Sequence, residues 1–177
     1  MIERFRTPAM APPPVRVAQA HAENPGGWLE AHYRRVYEER MRDMPFVNPA
    51  LQVHGLEFER QQGDWLGILL TPWFLNLFLL PGGGALWRDI PAGERCALDL
   101  PCGTMHFIAD DDPDIGPYQY CPLVAPVDQL PDMATALQVA EAAWETVLLA
   151  PAPVVEEAAP DPQASRRAFL RRLGGRS

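Results

Sequence analysis

Hydrophobic positions are densest between Trp65 and Trp87, WLGILLTPWFLNLFLLPGGGALW, which holds three of the five tryptophans. A membrane-spanning helix needs about 20 predominantly apolar residues without a break. Here Pro72 interrupts the run after seven residues, and Pro81 with Gly82, Gly83 and Gly84 closes it. The pattern predicts two short, largely buried strands, Trp65–Thr71 and Trp73–Leu80, meeting at a proline bend. A buried helix competes on periodicity alone; length, the proline and the glycines favour strands.

The rest of the chain falls into order around that stretch. Residues 1–24 are rich in proline and alanine and read as disordered, because they bury too little apolar surface to offset ordering entropy. Asn24-Pro25 offers a start for a helix over 25–43, with Leu29, Tyr33, Val36, Tyr37, Met41 and Met44 on one stripe. Residues 51–59 read as a strand with Gly55 as a bulge, turned by Gly63-Asp64 into the central stretch. Residues 95–100, 103–109 and 118–124 read as further strands, with an acidic loop over 110–116. Pro131 opens a second helix over 131–149, lined by Met133, Ala136, Leu137, Ala140, Trp144, Val147 and Leu148. The prediction is an α+β fold: one domain over 25–150, a mostly antiparallel meander with both helices packed side by side on one face. Residues 151–164 read as a Pro/Ala/Glu linker and 165–177 as a basic tail.

Charge divides the chain unevenly. Net charge is −8, yet residues 165–177 carry five arginines and no acid, leaving ten arginines against all 23 acids in the remainder, a net of −13. An acidic body argues against nucleic acid as a partner and suits a basic peptide. The three cysteines have no disulfide pattern, and no apolar segment follows the N-terminal arginines as in a signal peptide. These features predict a cytoplasmic protein without a membrane span.

Candidate chemistry is sparse. The only serines are Ser165 and Ser177, and no nucleotide-binding or hydrolase motif occurs. An enzyme is not expected, nor is a cofactor. Cys96, Cys102, His106 and Cys121 could converge on a metal from neighbouring strands, although buried free thiols are the simpler reading of C-x5-C-x3-H-x14-C. Asp110, Asp111 and Asp112 form either a solvated turn or an acidic rim that receives arginines, with Asp64 as a further candidate acid. Trp65, Pro72, Trp73, Phe74, Phe78, Trp87 and Tyr120 complete a candidate aromatic groove for an apolar peptide with basic residues at one end.

The ordered set G-D-W-L-G (63–67), T-P-W-F-L (71–75), L-P-G (80–82), L-W (86–87), L-P-C-G-T-M-H-F (100–107), Y-Q-Y-C-P-L (118–123) and the arginine-rich 166–172 resembles the HybE-type family of [NiFe]-hydrogenase assembly chaperones. That resemblance implies a non-enzymatic cytoplasmic role on the hydrogenase small-subunit precursor. Such proteins are associated with the small subunit, whose twin-arginine signal directs export, and the resemblance implies that they hold back export until the large subunit is matured and docked. Other maturation proteins are implied partners. The alternative is a small metal- or redox-active accessory protein that protects iron–sulfur or metal-centre assembly. Some relatives carry a rubredoxin-like iron site, whose two C-x-x-C pairs this chain lacks. Ser165-Arg166-Arg167-Ala168-Phe169-Leu170-Arg171 itself resembles the twin-arginine consensus. Arg166, Arg167, Phe169 and Leu170 are therefore candidates for self-docking in the client's site.

Overall fold

The computed structural model describes residues 14–149. The expectations for 1–13, the linker and the basic tail lie outside those residues. Six strands form one antiparallel sheet: β1 (His54–Gln61), β2 (Asp64–Leu70), β3 (Leu75–Leu80), β4 (Arg95–Leu100), β5 (Gly103–Asp112) and β6 (Gly116–Val124). Their order across the sheet is β1-β2-β3-β6-β5-β4. Two three-stranded meanders are thus joined through β3 and β6. Helix α1 (Gly26–Val36) precedes the sheet and α2 (Met133–Leu148) follows it.

The central stretch becomes a hairpin. Trp65 pairs with Leu80 and Leu70 with Leu75, and every residue of β2 and β3 is buried. Thr71 makes the turn: its hydroxyl accepts the N–H groups of Trp73 (3.2 Å) and Phe74 (3.0 Å) and donates to the Phe74 carbonyl (3.2 Å). Because successive side chains alternate between faces, Leu66, Ile68, Leu70, Leu75, Leu77 and Leu79 join one core with Ala136, Ala140, Trp144 and Val147 of α2. Trp65, Leu69, Phe78 and Leu80 join another with Leu29 and Tyr33 of α1. The two helices therefore lie on opposite faces, not side by side on one. A strand that is apolar at both alternations has two faces to cover, and one helix covers each.

Two other expectations shift. The β1 bulge falls at Glu57 (φ +51°), between Leu56 and Glu59, rather than at Gly55. It turns Phe58 flat onto Gly67, where an added Cβ would sit 2.4 Å from the ring. Gly55 instead donates its N–H to Glu30 of α1 at 2.9 Å. The first helix also changes pitch at its end, opening into a wide turn over Tyr37–Met41.

Residues 14–24, expected to be disordered, run as an extended strap. Ala18 N–H donates to Asp89 (3.0 Å), His21 N–H to the Pro81 carbonyl (2.8 Å), and Trp65 Nε1–H to the His21 carbonyl (2.8 Å). Arg60 stacks on Trp65 at 4.4 Å and donates to the Ala22 carbonyl at 3.0 Å. Hydrogen bonds to loops hold this segment, and composition measures only apolar burial.

The Gly82–Gly84 run has a structural purpose. Asp64 is fully buried and accepts the backbone N–H groups of Gly82 (2.7 Å), Gly84 (2.9 Å), Leu86 (2.9 Å) and Trp87 (2.8 Å). A Cβ at Gly82 would lie 2.3 Å from the Gly63 carbonyl, and one at Gly84 2.2 Å from that of Gln62. Only glycine lets this loop close on the β1–β2 turn and present its amides to the carboxylate.

Candidate peptide-binding cleft

On the α1 face the helix covers β1 to β3 and leaves the β6–β5 half less covered. At that boundary lies a cleft of about 180 Å³ lined by Tyr33, Phe74, Asn76, Phe78, Asp110, Tyr118 and Tyr120. Strand register supplies its floor: Phe78 faces Tyr120, and Asp110 faces Tyr118, so all point to one side of the sheet. Tyr33 comes from α1, and the Thr71 turn throws Phe74 toward it.

The rings are mutually packed. Phe78 stacks on Tyr118 (5.3 Å, 14°), while Tyr33 stands edge-on to Phe74 (5.6 Å) and Phe78 (5.9 Å). Trp73 extends the row, edge-on to Phe74 at 5.6 Å and stacked on Tyr37 at 6.3 Å. These geometries are the favourable ones for aromatic pairs and fix the walls in place. The Tyr118 hydroxyl donates to Asp110 Oδ2 at 2.9 Å. Burial, then the neighbouring phenol and the Asp110 carboxylate, push the Tyr118 pKa far up, and burial does the same to Tyr33. Both phenols therefore stay protonated at neutral pH.

The acidic cluster does not act as one rim. Asp111 pairs with Arg16 at 3.0 Å. Asp112 Oδ2 lies 3.7 Å from His32 Nε2, and Asp114 pairs with Arg35 at 3.1 Å and lies 3.8 Å from His32 Nδ1. The ligand atoms of His32, Asp112 and Asp114 lie within 4.8 Å of one another, with Arg35 already neutralising Asp114. Asp111 and Asp114 have arginine partners, Asp112 has only the His32 imidazole beside it, and Asp110 has neither an arginine nor a histidine within ion-pair distance among the described residues. Asp64, offered by sequence as a receiving acid, is committed to its four amides. Burial alone would raise its pKa, but those N–H groups outweigh it and hold the carboxyl below its ordinary value.

Of the sequence-predicted aromatic groove, Phe74, Asp110 and Tyr120 meet in the cleft, and Trp73 adjoins it. Trp65 is 9% exposed beneath the strap and Pro72 is buried, so neither offers a surface. Trp87 packs against the α2-side core, away from the cleft. Phe78, another ring of the expected groove, also lines the cleft, whereas Tyr33, Asn76 and Tyr118 are not among the expected site residues. Asn76 carried a signal, being the one polar residue in the apolar run LNLFLL.

The cysteine–histidine set is not gathered. Cys96, Cys102 and Cys121 pack against the α2-side core. His106 pairs with Ala97, one step out of phase with Cys96 and Phe107, and so projects from the other face. Burial pushes the Cys96 and Cys121 thiols up. Parity along β5, rather than spacing in sequence, separates these residues.

The fold is a small α+β domain that carries an aromatic cleft ending on one carboxylate. Residues 24–172 match the family model described as [NiFe]-hydrogenase assembly, chaperone, HybE. The chain is 38% identical over 156 residues to the hydrogenase expression/formation protein HoxT of Azotobacter vinelandii, covering 84% of this chain and 96% of that one. It is 32% identical over 142 residues to the probable rubredoxin HupJ of Rhodobacter capsulatus, covering 80% of this chain but only about half (51%) of that relative's length. The solution structure of HybE from Escherichia coli superposes with a TM-score of 0.60 at 26% identity, covering 81% of this chain and 89% of that one. The chain belongs to the HybE family of [NiFe]-hydrogenase assembly chaperones.

Proposed function

We propose that the chain is a non-enzymatic cytoplasmic chaperone for a [NiFe]-hydrogenase small-subunit precursor. It binds the twin-arginine signal, the adjoining mature part, or both. It coordinates assembly with the large subunit and other maturation proteins before export. The observation that carries this reading is the cleft: a row of rings running to Asp110, whose charge has no cation beside it among the described residues. A signal that is basic and then apolar matches both ends of that surface, with guanidinium on carboxylate and aliphatic groups on rings. Family membership supplies the hydrogenase context.

The test is co-purification from hydrogenase-expressing cells with the tagged full chain as bait. Full-length small-subunit precursor should be recovered and the signal-deleted subunit recovered less. Equal recovery would move the contact off the signal. Recovery of neither would reject the reading.

A further inference from the structure

We infer that the cleft is a subsite for a single arginine side chain in an extended peptide supplied by a partner. The inference takes the source of that arginine from the proposed function. Three features of the cleft specify the ligand. Asp110 offers a carboxylate without a cationic partner among the described residues, its oxygens accepting only the Tyr118 hydroxyl (2.9 Å) and the Asp111 N–H (2.8 Å). Each carboxylate oxygen accepts two hydrogen bonds, so both keep capacity for a donor fork. Asn76 is 6% exposed, and its side-chain oxygen is buried without a hydrogen-bond partner among the described residues. An orphan acceptor of that kind costs about 1–3 kcal/mol unless something donates to it. Between the two lie the rings of Phe78 and Tyr120.

Their separation selects the occupant. Asn76 stands opposite Pro122 of β6, and Asp110 stands opposite Tyr118. The offset is four residues along β6, roughly 13 Å at about 3.3 Å per residue, and two strands across it, about 10 Å at about 4.8 Å per strand, so about 16 Å in all, with both side chains on the same face. A single planar head group cannot touch both ends. An arginine and its neighbouring residue can bridge them: the guanidinium meets Asp110, the methylenes cross the rings, and a peptide N–H beside it donates to Asn76 once the amide turns its buried oxygen into the cleft. Lysine lacks the planar fork and the stacking surface, although it carries the same charge. The volume, about 180 Å³, lies below the roughly 300–1,000 Å³ of small-molecule pockets and admits one side chain.

Titration calorimetry on the full chain tests this with a short blocked peptide holding one arginine in an apolar background, and its lysine and citrulline counterparts. The arginine peptide should bind, and citrulline should weaken it about tenfold or more, with lysine between. Asp110→Asn should cost the arginine peptide a similar factor and the citrulline peptide little. Asn76→Leu should weaken binding severalfold while leaving the thermal midpoint equal or higher, an outcome a packing role would not give. Equal binding of all three peptides, or none, overturns the inference. If the arginine peptide binds only to the Arg166→Gln/Arg167→Gln chain, the arginine comes from this chain's own tail and the partner source is overturned. Precursor capture without arginine-peptide binding would sink the subsite and leave the chaperone reading standing. The reverse result would sink the chaperone reading and leave the subsite.

Discussion

Asp64 shows how a family signature can be structural and not functional. Its carboxylate gathers four amides from the loop that the Gly82–Gly84 run allows to approach. The G-D-W and L-P-G-G-G segments are therefore two halves of one latch. Asp64→Asn keeps the size but loses the charge that strengthens those bonds, and should lower unfolding free energy at pH 7 by about 2–4 kcal/mol. The pH dependence has a defined sign. A carboxyl whose pKa is depressed by folding contributes its full stability above its unfolded value, 3.8, and loses it as pH falls through the lower folded value. In urea titrations, the gap between wild type and Asp64→Asn should narrow from pH 6 to pH 3, about the range where linkage acts. A gap that stayed constant would mean the carboxylate's charge is not what holds the loop.

At the scale of elements, the strand pattern was legible because both faces of β2 and β3 write themselves as uninterrupted leucine and aromatic runs. The same runs contained the correction about the helices: polar alternation is missing, so both faces need a cover. The β1 bulge lies away from Gly55 because, although glycine is the usual marker of irregular backbone, here Glu57 takes the positive φ and Phe58 dictates the geometry. Phe58 requires Gly67 beneath it. Gly67→Ala should cost about 1–3 kcal/mol in chemical denaturation, the usual penalty of overpacking. In a Phe58→Leu background the penalty should shrink, since the clash is with that ring. Additive effects would show that Gly67 serves some other contact.

At the scale of the whole molecule, the cleft depends on chain reversals that spacing does not encode. Phe74, Asp110 and Tyr120 were readable as candidates from residue type. Tyr33 and Tyr118 are hidden because residues that line a cleft and residues that fill a core share one composition. Which face each strand residue occupies became definite only once β6 was paired between β3 and β5. Residue type overstates the acids in the opposite direction, for Asp111 and Asp114 pair with Arg16 and Arg35 and Asp112 stands beside His32, all from elsewhere in the chain. Attraction between an acidic body and a basic signal should be salt-sensitive. Raising ionic strength from about 0.05 to about 0.5 M, beyond which exposed charges are strongly screened, should slow association of precursor peptide severalfold. Dissociation governed by the rings should change less. Stopped-flow binding separates the two rates, and an unchanged association rate would contradict electrostatic steering.

The proposed role has this chaperone hold its precursor through the cleft. Its most direct measurement is the amount of small-subunit precursor that co-purifies with the full-length chain carrying Asp110→Asn, beside wild type of matched stability. Loss of most of the precursor from the variant, with wild type retaining it, is the predicted result. Equal recovery by both would contradict the account and place the client elsewhere on the molecule.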